Sequence, residues 1–264
     1  MQGSGIGPIA FLIYVDDLAE VLLQYGVRVK KFADDVKVYV KISDDSTVNE
    51  IQTVLDVIYA WATEWQLQVS VEKCAISKIG NVSDNNDYYI KNVQLPNVMS
   101  CRDLGIIVTN DISPSEHVNN ITVKAHERAN AILRCFASRD NKLLVRTFTT
   151  YDRPLLEYNS VVWSPYLKQD IERLENVQRR FTKRLLGLKR VEYAERLHRL
   201  RLHSLELWRL LTDFIWCYKI VFGLVRIIFG DFFKHCRVST TRGHPYKLYT
   251  SHCSSIRSRF LPIA

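Results

Sequence analysis

With 264 residues and a mass of 30.7 kDa, the chain is long enough for one or two domains with real cores. A hydrophobic content of 47% with 11% aromatic residues argues against a disordered chain. The net charge of +8 is divided: residues 1–110 hold 9 Lys+Arg against 14 Asp+Glu, a net of −5, and residues 111–264 hold 27 against 14, a net of +13. A basic second part suits contact with phosphates, or else its Arg and Lys simply cover a helical surface.

In chain order, Pro8 opens an apolar run (Ile9, Leu12, Ile13, Leu18, Leu22, Leu23) at helical spacing, which predicts a helix over 8–24. Val27 and Val29 then alternate with basic residues, and Val36, Val38 and Val40 alternate again. That period of two predicts a hairpin over 27–40 with Asp34 and Asp35 in the turn. Two acids at a rigid hairpin tip offer hard oxygen ligands to Mg²⁺, with Mn²⁺ as an alternative ion, in a site shared with phosphates. Read without its surroundings, the same pair is an ordinary polar turn. Two other Asp-Asp pairs exist. Asp44-Asp45 sits in a polar stretch that reads as a solvated helix start, and Asp16-Asp17 falls near the polar face of the first helix.

Val48, Ile51, Leu55, Ile58, Ala62 and Trp65 line one face of a further helix. Strands are predicted at Leu67–Val71, Tyr88–Leu95 and Leu104–Val108, and helices on one face of a largely antiparallel sheet make this part α+β. From Ser113 the pattern is all-helical. Ser113-Pro114-Ser115-Glu116 reads as a capping box, followed by a stripe of Val118, Ile121, Ala125, Ala129, Ile132 and Phe136. Arg153-Pro154 is expected to break a second helix. Ile171, Leu174, Val177, Phe181, Leu185 and Leu188 mark a third that ends near Gly187, with Arg173, Arg179, Arg180, Lys183 and Arg184 on its other side. A fourth, through Leu205, Trp208, Leu211, Ile215, Tyr218 and Phe222, is apolar almost all round and is expected at the centre of a bundle. The tail after Gly230 has no clear period and reads as loosely ordered. Domains are therefore expected at 1–110, 111–230 and 231–264.

Six cysteines show no Cys-x-x-Cys spacing and no secretory signal precedes them, which suggests reduced thiols inside a cell. His235-Cys236, His244 and His252-Cys253 fit no familiar zinc-finger spacing. The apolar stretch from Ile215 to Phe233 is interrupted by Lys219, Gly223, Arg226 and Gly230, so a membrane span is not expected.

Several blocks together resemble the reverse transcriptase of non-LTR (LINE-type) retrotransposons. The segment from Gln2-Gly3-Ser4 through Gly7-Pro8 to Phe11 resembles that family's Pro-Gln-Gly-Ser-x-Leu-Gly-Pro-x-x-Phe block. Phe32-Ala33-Asp34-Asp35 resembles its metal-binding box, Trp65-Gln66-Leu67 with Lys73-Cys74 its next block, and Leu104-Gly105-Ile106 its primer-gripping strand. Arg153-Pro154, Val162-Trp163-Ser164-Pro165 and the run Leu174 to Arg184 are also similar to these elements. Tyr14-Val15-Asp16-Asp17 resembles instead the Tyr-x-Asp-Asp box of retroviral polymerases, in a helical context that disfavours it.

The resemblance implies a polymerase palm followed by a helical thumb-like region, with Asp34 and Asp35 as catalytic, metal-holding carboxylates. It implies that Gln2 and Gly3 contact nucleotide and template, and that Lys73 meets the triphosphate unless it is a solvated strand-end lysine. Leu104 and Gly105 would grip the primer. Arg179, Arg180, Lys183 and Arg184 would track the nucleic-acid backbone or form a merely solvated face. Implied partners are an RNA template, a DNA primer or target and deoxynucleoside triphosphates, in a nuclear or cytoplasmic ribonucleoprotein and with no membrane. Gly5 and Ser70 depart from the family pattern, which has a larger aliphatic residue and Asn there. The family's first catalytic Asp lies well before the Gln-Gly block, so a truncated palm, inactive alone and missing one strand of its sheet, is expected. The other reading is a non-catalytic nucleic-acid-binding protein that keeps the basic helical region.

Overall fold

The computed structural model of the protein describes residues 5–42, 46–80, 86–234, 246 and 248–249. Gln2, Gly3, the Asp44-Asp45 pair, the His235/Cys236/His244/His252/Cys253 set and most of the tail lie outside the described residues. The described residues form two compact units. One takes in the chain up to Cys101 together with Thr109–Ile112, the other Arg102–Val108 and the chain from Ser113 onward. The architecture is mixed, helices with small sheets.

In the first unit the predicted 8–24 helix is two helices, α1 (Gly7–Tyr14) and α2 (Asp17–Leu23). At the elbow between them Lys31 Nζ donates to the carbonyl oxygens of Val15 at 2.8 Å and Asp16 at 2.9 Å. Strands β1 (Arg28–Phe32) and β2 (Asp35–Tyr39) pair antiparallel, with Val29 opposite Val38 and Phe32 opposite Asp35. Val29, Val38 and Val40 pack on a core of Leu18, Leu22, Val27, Val54, Trp61 and Ala62. Helix α3 (Ser46–Glu64) supplies Val54, Trp61 and Ala62 to that core, and Ile51, Leu55 and Ile58 are only half-buried.

The single antiparallel sheet expected from the sequence is instead three separate two-stranded pieces among the described residues. Leu67, Val69 and Val71 keep the alternating burial of a strand without any ladder. They follow the end of α3, where Gln66 adopts φ +55° and Leu67 N–H donates back to Ala62 O at 2.7 Å, and Val71–Lys73 is a 3₁₀ turn. Period two dictated which side chains face inward; no neighbouring strand was there to pair with. The predicted Tyr88–Leu95 strand is a hairpin, β3 (Tyr89–Ile90) and β4 (Val93–Gln94), turned at Lys91 and Asn92 with φ of 49° and 60°. β5 (Ser100–Asp103) and β6 (Ile106–Thr109) are turned in the same manner at Leu104 and Gly105, so Leu104 belongs to the turn and not to the strand.

The second unit is built on α4 (Ser115–Cys135) and α8 (Lys168–Lys183). Val118, Ile121, Ala125, Ala129 and Ile132 of α4 and Leu174, Val177 and Phe181 of α8 are buried in one core, with Phe148 stacked on Phe181 at 4.3 Å. Ser115 Oγ donates to Asp170 Oδ2 at 2.6 Å, and Arg184 donates to Asn130 Oδ1. These pairs, 55 and 54 residues apart, show the helices running side by side in the same direction. The break expected at Arg153-Pro154 does not occur. Residues 141–157 stay helical through α5 (Asn141–Thr147), a π-helical turn (Phe148–Asp152) and α6 (Arg153–Glu157), the wider turn absorbing the proline that lacks an N–H.

Helix α7 (Ser160–Trp163) follows, and α8 itself stops at Lys183, four residues short of Gly187, with Leu185 and Leu188 buried beyond its end. Then come α9 (Tyr193–Leu200), α10 (Leu205–Val221) and α11 (Phe229–Phe232). Helix α10, expected at the centre of a bundle, buries only Leu205, Arg209 and Ile220. Leu211, Phe214, Ile215 and Tyr218 are exposed, because the described residues cover one of its faces only.

Candidate functional site

The hairpin tip is a two-residue turn, Ala33-Asp34, in which Ala33 takes φ +51°. Asp34 lies in the turn itself and Asp35 is the first residue of β2. Both are exposed. Among the described residues neither carboxylate accepts a hydrogen bond or faces a cation within ion-pair distance, and no cluster of three or more His, Cys, Asp or Glu side chains is placed to hold a metal ion. Two unpartnered carboxylates on adjacent residues suit a hard cation, which binds through one or two carboxylates and completes its shell with water and phosphate. The donor set fits one Mg²⁺ or Mn²⁺; a two-ion site needs a further carboxylate.

The rival pair is occupied differently. Asp16 Oδ1 accepts from Lys31 Nζ at 3.1 Å, and Asp17 stands in the first turn of α2 with its Oδ1 buried and unpartnered. Tyr14 donates its hydroxyl to Trp65 O at 2.6 Å and meets the Trp65 ring edge-on at 5.0 Å, while Trp61 and Trp65 lie 6.1 Å apart. The aromatic residues of this region therefore pack against one another. Lys73 is exposed in its 3₁₀ turn, and no ion pair joins it to Asp34 or Asp35.

In the second unit, the Leu104-Gly105 turn is held by Tyr158, whose hydroxyl donates to Leu104 O at 3.2 Å. Gly105 has φ +90°, a conformation that favours glycine, and it lies against the Tyr158 ring. Next to it, Ile107 N–H donates to His117 Nδ1 at 3.2 Å. Burial, helped by the charges of Arg102 and Lys124, keeps that imidazole below its usual pKa.

The four predicted backbone-tracking cations share the exposed side of the end of α8. Arg179 lies over the Tyr193 ring at 5.0 Å, with Arg196 over the same ring at 5.3 Å, so it is partly committed to packing. Arg180, Lys183 and Arg184 have no carboxylate partner among the described residues, whereas the first half of α8 pairs Lys168 with Glu172 and Arg173 with Asp170. His126 of α4 lies beside them, its pKa lowered by burial and then by the Arg180 charge.

Three groups stand out that the sequence reading did not single out. Lys31 is one, and its signal was present: it occupies the apolar phase set by Val27 and Val29. A second is the Glu175 network. Its carboxylate accepts from Tyr193 OH and from the backbone N–H groups of Leu205 at 2.9 Å and Glu206 at 3.3 Å, capping α10, while Gln178 Nε2 donates to Tyr193 Oη and His203 O. The third is Asp152, fully buried in the π turn. No helix among the described residues is long and apolar enough to cross a membrane, and the four described cysteines are free thiols.

Residues 1–108 match the family described as reverse transcriptase (RNA-dependent DNA polymerase). This part of the chain is thus similar to reverse transcriptases, and the relatives it resembles are of the non-LTR, LINE-type kind. The chain is 24% identical over 210 residues to the probable RNA-directed DNA polymerase from transposon X-element of Drosophila melanogaster, a match covering 75% of the chain and 23% of that protein. It is 22% identical over 196 residues to the RNA-directed DNA polymerase from mobile element jockey of the same fly, covering 70% and 21%. It is also 26% identical over 190 residues to the retrovirus-related Pol polyprotein from type-1 retrotransposable element R1 2 of Nasonia vitripennis, covering 65% and 45%. The chain thus spans about a fifth to under a half of the length of these relatives. No solved structure matches it.

Proposed function

We propose that the chain is a segment of an RNA-directed DNA polymerase of a LINE-type retrotransposon, with part of a palm up to about residue 110 and a helical thumb-like region after it. The observation that carries this reading is the unpartnered Asp34-Asp35 pair at the turn of a hairpin, inside the stretch that matches reverse transcriptases. Asp34 and Asp35 would hold Mg²⁺ or Mn²⁺, which when bound supplies charge neutralisation at the triphosphate and lowers the cost of ionising a primer 3′-hydroxyl. The two side chains present the oxygens, and the short turn keeps them at the solvent edge where a nucleotide can approach. Leu104 and Gly105 are assigned to the primer, Lys73 to the triphosphate, and Gln2 and Gly3 to nucleotide and template. The partners in this reading are an RNA template, a DNA primer or target and deoxynucleoside triphosphates, within a nuclear or cytoplasmic ribonucleoprotein.

Polymerases of this kind use three carboxylates for two ions, and the tip offers two. The chain alone is therefore expected not to extend a primer. Incubated with an RNA template, a DNA primer, deoxynucleotides and Mg²⁺ or Mn²⁺, purified protein should give no incorporation above background. Robust incorporation that Asp34→Ala abolishes would overturn the inactivity. Grafted in place of the matched segment of a full-length relative, the chain should support RNA-templated synthesis that Asp34→Ala removes. A graft that folds and is indifferent to Asp34→Ala would overturn the catalytic assignment.

A second reading is favoured by Arg180, Lys183 and Arg184 at the end of α8, which have no carboxylate partner among the described residues: a non-catalytic nucleic-acid-binding protein. Binding to an RNA–DNA duplex should then survive Asp34→Ala and disappear when Arg179, Arg180, Lys183 and Arg184 are changed to Glu.

A further inference from the structure

The β1–β2 hairpin is anchored unevenly. Its base is held by Val29, Val38 and Val40 against the core of the first unit. Its far half has no such anchor: Phe32 is 61% exposed and Val36 38% exposed, and Asp34 and Asp35 stand in solvent. An isolated two-stranded hairpin is marginal in water, so an unanchored tip should fray.

Lys31 interrupts that pattern. It lies on the inward phase of β1, two residues beyond Val29 and opposite Val36, with its side chain 18% exposed. Its ammonium donates to Val15 O at 2.8 Å, Asp16 O at 2.9 Å and Asp16 Oδ1 at 3.1 Å. Three N–H donors thereby meet three acceptors, which saturates the group. All three acceptors belong to the elbow between α1 and α2, whose Val15 side chain is itself buried. An inward lysine on a strand is costly unless it is satisfied in this way.

We infer that Lys31 is a positioning residue that pins the acidic tip of the hairpin to the α1–α2 elbow, so that Asp34 and Asp35 present their carboxylates to a divalent cation in one arrangement. The inference rests on reading that pair as the metal carboxylates. It also gives Asp16 a role: it is the counter-ion of the tether, and not a metal ligand.

The sign of the effect separates positioning from charge. Lys31 is a cation close in sequence to the two acids, so removing it by electrostatics alone should tighten cation binding. Loss of positioning should weaken it, on the scale of about tenfold usual for groups that orient metal ligands.

Mn²⁺ binding to the full 264-residue chain, followed by the loss of the free-ion electron paramagnetic resonance signal, tests this. Lys31→Met should bind Mn²⁺ about tenfold more weakly, with the helical circular dichroism unchanged. Lys31→Arg, which keeps the donors, should recover most of the affinity. Asp16→Ala removes one acceptor of three and should sit between wild type and Lys31→Met, which keeps the test open should Lys31→Met fold poorly. Mn²⁺ affinity equal to or above wild type in Lys31→Met or Asp16→Ala, with binding lost in Asp34→Asn/Asp35→Asn, would overturn the positioning role and leave the metal reading intact. Unchanged binding in Asp34→Asn/Asp35→Asn would overturn both.

Discussion

Asp152 is fully buried in the π turn, and neither of its carboxylate oxygens has a hydrogen-bond partner. Burial raises its pKa from the ordinary 3.8 to about 7, against a smaller opposing pull from the Arg128 charge. Arg128 Nη1 is itself engaged with Tyr151 O at 3.1 Å, and Arg153 next in the chain is paired with Glu157. The folded state therefore binds a proton that the unfolded state releases near pH 4. The stabilisation from this group is complete below about pH 4 and is lost as pH rises through 7. Urea denaturation should show the protein less stable at pH 8 than at pH 5 by on the order of 2 kcal/mol from this residue. Asp152→Asn should flatten that difference. Nothing near Asp152 in the sequence announced this, because its burial comes from α4, α5 and α6 packing around one turn. Lys31 and Asp34-Asp35 differ in that respect. Alternating valines bracketed the acids and set the apolar phase that Lys31 occupies, so local period alone carried the information.

At the scale of elements, α4 and α8 form the frame of the second unit, and the Phe148–Phe181 stack joins the π turn to it. Phe181→Ala should cost about 3–5 kcal/mol, read from the shift in denaturation midpoint, since it removes a large side chain that is 1% exposed. The end of α8 carries cations whose only role within the described residues, beyond Arg184 on Asn130 and Arg179 on Tyr193, is to favour the helix C-terminus. If they meet phosphates, replacing Arg180, Lys183 and Arg184 with Glu should reduce the salt dependence of duplex binding by roughly 2–3 units of slope. An unchanged slope in fluorescence anisotropy would assign them to solvent. Element types were legible where the period was long, as in the α4 stripe from Val118 to Ile132. They were misread where it was short. Leu67-Val69-Val71 alternated without a partner strand, and Lys91-Asn92 hid a hairpin turn inside an apparently continuous strand.

At the scale of the molecule, a broad apolar face of α10 is left uncovered among the described residues, with Phe214 72% exposed and Ile215 and Tyr218 also open. Monomeric proteins rarely expose contiguous faces of this kind, and they promote association. Phe214→Glu with Tyr218→Glu should lower light scattering on concentration while leaving the thermal midpoint nearly unchanged, because neither side chain is part of the core. The reading of α10 as a central helix failed for a physical reason. An all-round apolar pattern states what a helix requires for burial, and says nothing of whether enough neighbours exist to provide it. By itself the sequence determined the likeness of residues 1–108 to reverse transcriptases, the acidic hairpin turn and the inward faces of α4 and α8, since each follows from residue order and local period. Only the tertiary structure decided that one expected sheet is three small ones, that Lys31 reaches the elbow between α1 and α2, and that Asp152 is sealed from water. Each of those depends on groups far apart in the chain meeting in space, which local period does not encode.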